Sequence, residues 1–212
     1  MSPKVTTAHE QGQRDRILEA ATRCFARRGF HEATIQDICD AAALSKGGLY
    51  TYFRSKDEIL AALVEQNLAD AMQWASAAAG QETSALQRLG RVGEAMVATV
   101  LEGNVAKAYT PQLMLEVWAE GSKDPKLGEL LVRGYEQWRT FIAGLFREGI
   151  ASGEIRGDVN PGELAAIVVA IFDGLTLQES LTKTSVDWRR VLATLRLALI
   201  EGIVAAPKPQ EA

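Results

Sequence analysis

The 212-residue sequence predicts an all-α fold of about nine helices. Apolar residues recur at helical spacing from end to end, and the breaks between runs carry the Gly, Pro and Asx signals that stop or cap helices. Nothing shows the strict alternation of a half-buried strand. Apolar residues make up 47% of the chain and charged residues 24%, a balance that supports a packed core rather than extensive disorder. No uninterrupted apolar run approaches the roughly 18 residues of a membrane span. The N-terminal stretch is polar and lacks the apolar heart of a secretory signal, so a cytoplasmic protein without a membrane partner is expected. Cys24 and Cys39 fall on helices among apolar residues and read as reduced core thiols.

The first helix is expected over Gln11–Arg28, burying Ile17, Ala20, Ala21, Cys24 and Phe25, with Gly29 as its stop. Thr34 caps a second helix that turns Ile35, Ile38, Cys39 and Ala42 inward. Ser45 caps a third, short helix, with Leu49 and Phe53 inward. Ser55-Lys-Asp-Glu58 is a capping box that starts a fourth helix running through Trp74 towards Ala79. Two more are expected over Glu82–Leu101 and Val105–Glu120. Lys123-Asp-Pro125 breaks the chain before a long helix over Lys126–Ser152, and Gly153–Val159 reads as a polar turn. Asn160-Pro-Gly-Glu163 joins an Asn cap, Pro at the first helical position and an early acid, a strong start for the eighth helix. Asp187 caps the last helix, and Pro207-Lys-Pro209 ends it in a loose tail.

Charge is distributed unevenly. Residues 1–56 hold nine Lys and Arg against six Asp and Glu, whereas the remainder is acidic enough to bring the whole chain to −4. A local basic field steers phosphate contacts even when the global charge is negative. Within that segment, Ser45 to Tyr52 has the features of a DNA recognition helix. Ser45 offers a cap and a free helix N-terminus, and Lys46 suits guanine O6 and N7. Gly47 and Gly48 let the backbone approach a groove floor, while Tyr50 and Tyr52 are long enough to pack on sugars and donate to phosphates. Two glycines in one helix sacrifice roughly 1 kcal/mol each relative to alanine, which a purely structural helix has no reason to accept. Thr34 and Lys56, at the starts of the second and fourth helices, fall where the duplex backbone would pass on either side.

The segment TIQDICDAAALSKGGLYTYFRSKDEIL, preceded by Ala-Arg-Arg-Gly-Phe30, resembles the TetR family of one-component transcriptional regulators. The likeness is strong over about residues 12–65. It continues more weakly in EVWAEGSKDPKL (116–127) and GEIRGDVNPGELAAIVVAIFDGL (153–175). It implies that Lys46, Gly47, Gly48 and Tyr50 meet bases or the adjoining backbone, that Thr34, Tyr52 and Lys56 bind phosphates, and that Gln36 occupies a position that contacts bases in some members. The family's turn usually reads Ala-Gly-Val-Ser, but here it is Ala42-Ala43-Leu44-Ser45. A left-handed Ala43 would cost on the order of 1 kcal/mol.

The resemblance divides the chain into a helix-turn-helix DNA-binding domain (1–55), an effector-binding and dimerisation domain (56–206) and a flexible tail (207–212). The eighth helix is apolar nearly all round, and so is the last, which implies a second surface to bury against another subunit. The expected homodimer seam comprises Leu164, Val168, Ile171 and Leu175 with Trp188, Val191, Leu195 and Leu199. Two recognition helices about 34–36 Å apart or somewhat more would match a palindromic operator in double-stranded DNA. The expected effector-binding set, for a small and largely apolar molecule, is Trp74, Met96, Tyr109, Leu113, Met114, Trp118, Trp138, Phe141 and Phe172. Gln112, Glu116, Asp173 and Gln178 are the polar residues beside it. Taken singly, each of these large side chains suits plain core packing better than a ligand contact.

A helical enzyme would need a catalytic kit. His9 and His31 are the only histidines and have no partner at metal-site spacing. No P-loop, dinucleotide fingerprint or nucleophile elbow is present. Neither metal nor cofactor is expected. A protein-interaction or small-molecule-binding module without DNA function would leave the Ser-Lys-Gly-Gly-Leu-Tyr tip unexplained.

Overall fold

The computed structural model describes residues 7–80, 84–102, 111–182 and 187–204. Among these the elements are α1 (Thr7–Arg28), α2 (Ile35–Ala42), α3 (Lys46–Tyr50), α4 (Lys56–Ala79), α5 (Ala85–Glu102), α6 (Pro111–Gly121), α7 (Pro125–Ser152), α8 (Pro161–Thr182) and α9 (Trp188–Leu195). A π-helical turn (Arg196–Ile200) and a final helical turn (Glu201–Ile203) continue α9. Residues 103–110, which include the first part of the expected sixth helix, and the expected tail lie outside the described residues.

Side chains set the helix starts. Thr34 accepts from the Asp37 amide at 3.1 Å, while the Asp37 carboxylate accepts from the Thr34 amide at 2.9 Å, a reciprocal capping box. Asn160 Oδ1 accepts from the Gly162 and Glu163 amides, and Asp187 from that of Arg190. At the fourth helix Ser55 Oγ accepts from the Glu58 amide at 3.1 Å. The Glu58 carboxylate, however, takes the Arg54 amide at 2.6 Å, one residue earlier than the expected box.

Packing divides the chain into two units, one of Met1–Asp70 with Val105–Leu131, the other of Ala71–Asn104 with Val132–Ala212. The first is centred on Ile17, Phe25, Ile38, Leu49, Phe53 and Ile59, joined by Leu113 and Val117 of α6 and Leu127 of α7. Helices α1–α3 therefore do not form a core with residues 1–55 alone. Three helices, one of them five residues long, bury too little apolar surface, and α4, α6 and the start of α7 complete it.

The second unit packs Ile142, Phe146, Ile155, Ala165, Val169 and Ile203 together. The stretch expected to be a polar turn contributes to this core, because Ile155 is buried and the Arg156 amide bonds to Ile203 O at 2.9 Å. Next to it, Glu154 accepts from Ser84 Oγ (2.5 Å), the Ala85 and Leu86 amides, and Ser152 Oγ (3.0 Å). These bonds, led by that from Ser84, hold its carboxyl below the ordinary carboxylate range and place a negative charge on the N-terminus of α5. Pro161–Gln178 in α8 is, by length and composition, apolar enough to cross a membrane. Glu163 and Asp173 punctuate it, so it holds no uninterrupted apolar run of that length.

Candidate functional site

The turn between α2 and α3 determines how the recognition helix is presented. Ala43 stands at φ 50°, ψ 50°, the one left-handed non-glycine among the described residues. It closes α2 with two backward bonds, Ala43 N–H to Asp40 O (3.2 Å) and Leu44 N–H to Cys39 O (2.9 Å), the Schellman pattern usually built on glycine. Arginines of α1 reinforce this end. Arg16 donates to Ala43 O at 3.2 Å, Arg23 to Ala41 O at 3.3 Å, and Arg14 to Tyr52 O while lying over the Phe53 ring. Arg16 and Arg23, two of the nine basic residues of this segment, thus brace the turn while remaining exposed.

Ser45 Oγ accepts from the Gly48 amide at 3.1 Å and so starts α3. Leu49 is fully buried beneath it, which fixes the rotation of the helix and turns Lys46, Gly47 and Tyr50 outward. Tyr50 is 50% exposed. A Cβ at Gly47 would meet no protein atom nearer than Ser45 Oγ at 4.0 Å, so nothing within the chain requires glycine there. Thr34 and Gln36 are also exposed; Gln36 is steadied by Asp40 at 2.7 Å. Tyr52 is half-buried against the core of the unit.

Lys56, expected at a phosphate, is engaged within the chain. Its ammonium donates to Phe30 O (2.6 Å), His31 O (3.0 Å) and Ala33 O (2.9 Å), and lies 4.5 Å from the Phe30 ring centroid. An ammonium has three N–H donors, and all three are engaged within the chain. In this geometry the three N–H donors of Lys56 are turned to carbonyls of the α1–α2 turn.

Of the expected effector residues, Trp74, Met96, Trp138, Phe141 and Phe172 come together with Ala79, Val92 and Leu145 in the second unit. Trp138 and Phe141 meet edge to face at 6.4 Å. Leu113 belongs instead to the core of the first unit, because the α6 face that carries it packs with residues of α1 and α4. Met114 and Trp118 are half-buried on the same helix, and Tyr109 lies outside the described residues. Glu116 is engaged at the α1–α2 turn, where it accepts from the Phe30 amide. Asp173 lines a groove of about 270 Å³ with Tyr135, Arg139, Ala166, Val169 and Ala170. Burial pushes its carboxyl up, partly offset by a hydrogen bond from Tyr135. Thr176 and Ser180 are buried polar residues on α8 that the apolar pattern gave no reason to single out.

The residues expected at the seam differ in their packing within the chain. Leu164 and Val168 pack against the Ile142–Phe146 core of their own unit, because their side of the helix faces α7. The large apolar residues left exposed on α8 are Ile167 (45%), Leu177 and Leu181 (67%), and beyond α9 they are Leu197 (60%) and Val204. Ile171, Leu175, Val191 and Leu195 are half-buried, and the side chains of Trp188 and Leu199 lie outside the described set. A helix apolar on both sides gives no sequence signal for which side packs inward, so the exposed stripe was not legible.

Comparison with known proteins matches residues 17–63 to the bacterial regulatory proteins of the tetR family and residues 91–204 to the C-terminal region of BetI-type transcriptional repressors. A transcriptional regulator from Saccharomonospora viridis, solved in complex with choline, is 30% identical with a TM-score of 0.80, the match covering 92% of this chain and all of that one. The regulator UidR of Escherichia coli K12 is 28% identical over 165 residues, covering 78% of this chain and 80% of that protein. A TetR regulator from Haloarcula marismortui shares the fold at a TM-score of 0.82 with 18% identity, over 92% of this chain and 99% of that one. With both segments matched and the reading helix exposed on its capped turn, this chain belongs to the TetR family of DNA-binding transcriptional regulators.

Proposed function

We propose that the protein is a homodimeric repressor that binds a palindromic operator and releases it when a small effector binds. The observation that carries the DNA-reading part is Gly47. It sits in an exposed helical turn where alanine would fit, at a cost of about 1 kcal/mol to the helix. The return for that cost lies outside the chain, in close approach to a duplex groove. Lys46 and Tyr50 flank it as base and backbone contacts, and Thr34 and Gln36 approach from the start of α2.

For the effector, the cluster of Trp74, Met96, Trp138, Phe141 and Phe172 supports a small molecule with a largely apolar envelope. A quaternary ammonium is the first class to test, because aromatic faces attract such cations and a relative was solved with choline. Effector binding would act through α4, changing the separation of two recognition helices that match the half-sites at one spacing only. The exposed apolar side chains Ile167, Leu177 and Leu181 of α8, with Leu197 and Val204 beyond α9, support burial against a second copy rather than a lipid partner. A cytoplasmic, non-enzymatic regulator accords with this reading.

The test is fluorescence anisotropy with the duplex lying just upstream of the coding region, against a scrambled duplex, with and without choline. Selective binding weakened by choline is expected. Equal affinity for both duplexes at low and high salt would refute DNA reading at that site, and selective binding indifferent to choline would exclude that effector.

A further inference from the structure

The α1–α2 turn is held from more sides than a short connection requires. Gly29 donates back to Phe25 O at 2.8 Å and the Ala33 amide to Gly29 O at 3.2 Å, which closes the turn on itself. Lys56 gathers three of its carbonyls from the start of α4. Glu116, on α6 and 86 residues along the chain, accepts the Phe30 amide. Gly29 stands at φ +81°, and a Cβ there would lie 2.7 Å from Glu116 Oε1, so the carboxylate reaches the turn only because no side chain intervenes. One helical turn further on, Glu120 meets His31 Nε2 at 3.3 Å.

Immediately beyond this turn stand Thr34, the cap of α2, and Gln36, both on the exposed face assigned to DNA. The turn therefore sets where α2 begins, and the contacts that define the turn come from α4 and α6. From this geometry we infer that Glu116 is a positioning residue for operator recognition, holding the Phe30 amide so that the start of α2 meets the duplex in one register. It touches no DNA itself. A surface ion pair that merely attached α6 would have no reason to select a backbone amide at a glycine-cleared approach. A carboxylate on a backbone N–H is a directional, charge-assisted bond that fixes position as well as proximity. The inference rests on the DNA-reading assignment above and extends it to a residue outside the family's DNA-binding segment.

The experiment compares wild type, Glu116→Gln and Glu116→Leu as full-length chains. Operator and scrambled duplexes are titrated by anisotropy, and hydrogen exchange is followed in peptides spanning residues 29–33. Glu116→Gln keeps an acceptor and is expected within about threefold of wild type for the operator, since a neutral acceptor is roughly half as strong. Glu116→Leu is expected to lose about tenfold on the operator, the worth of one base-edge contact, with a clearly smaller loss on the scrambled duplex, through the phosphate position Thr34, and faster exchange in the turn. Wild-type operator affinity in Glu116→Leu with faster exchange would overturn the inference, leaving Glu116 as attachment for α6 only. An equal loss on both duplexes would overturn it too, as a general effect on the fold. If Glu116→Leu loses helicity, Glu116→Asp, shorter by one methylene, takes its place with the same expected pattern. Failure of wild type to distinguish the duplexes would instead count against the DNA-reading assignment, so the two failures separate.

Discussion

Lys56 offers the sharpest test, because two roles for one ammonium predict opposite results. In Lys56→Met the apolar stem remains, but three N–H donors disappear from Phe30 O, His31 O and Ala33 O at 2.6–3.0 Å. Hydrogen bonds to a charged donor contribute about 1.5–3 kcal/mol each, but these share one half-buried ammonium and water can replace part of them. The ring contact with Phe30 adds about 0.5–1 kcal/mol. A total loss of about 2–4 kcal/mol in unfolding free energy is therefore expected, read from urea denaturation at fixed protein concentration. A phosphate contact would show elsewhere. Each neutralised phosphate contributes about 0.9 to the slope of log affinity against log salt. With its donors engaged internally, Lys56→Met is expected to leave that slope nearly unchanged when the folded variant is titrated. Unchanged stability with a slope reduced by about one would refute the structural role and restore the phosphate contact.

Gly47→Ala is expected to stabilise the fold by about 0.5–1 kcal/mol, since alanine fits there, while weakening operator binding in the anisotropy assay. Stabilisation with full binding would show that the glycine does not serve the duplex. Ala43→Gly relieves a left-handed alanine that costs about 1–2 kcal/mol, less the extra chain entropy of glycine, for a net gain of about 0.5–1 kcal/mol in thermal or urea unfolding. Glu154 is held below the ordinary carboxylate range, so its contribution is present above the unfolded value of about pH 4.3 and is lost as pH falls through the folded one. The stability difference between wild type and Glu154→Gln should hold steady near neutrality and shrink in acid; a difference independent of pH would contradict the capping role. Leu181→Asp is expected to yield a folded monomer by sedimentation, whereas Leu164→Asp should unfold the second unit. A Leu181→Asp dimer would move the seam elsewhere.

Local chemistry made most of the helices and the reading tip legible in the sequence. Caps such as Thr34, Ser45 and Asn160 act within three residues, so their partners sit beside them in the chain. The same holds for Ala43, whose left-handed turn follows from four consecutive residues. Contacts between distant segments were another matter. Nothing near Lys56 indicates that its ammonium would bond carbonyls 23 to 26 residues earlier, or near Glu116 that it would hold the Phe30 amide. Their charges suggested a duplex and an effector because sequence alone shows a charged group without its partner. Likewise, α8 carries apolar residues on every side, so periodicity could not choose between Leu164 and Leu181 as the inward face. That choice belongs to tertiary packing, where burying one side of a helix leaves the other exposed.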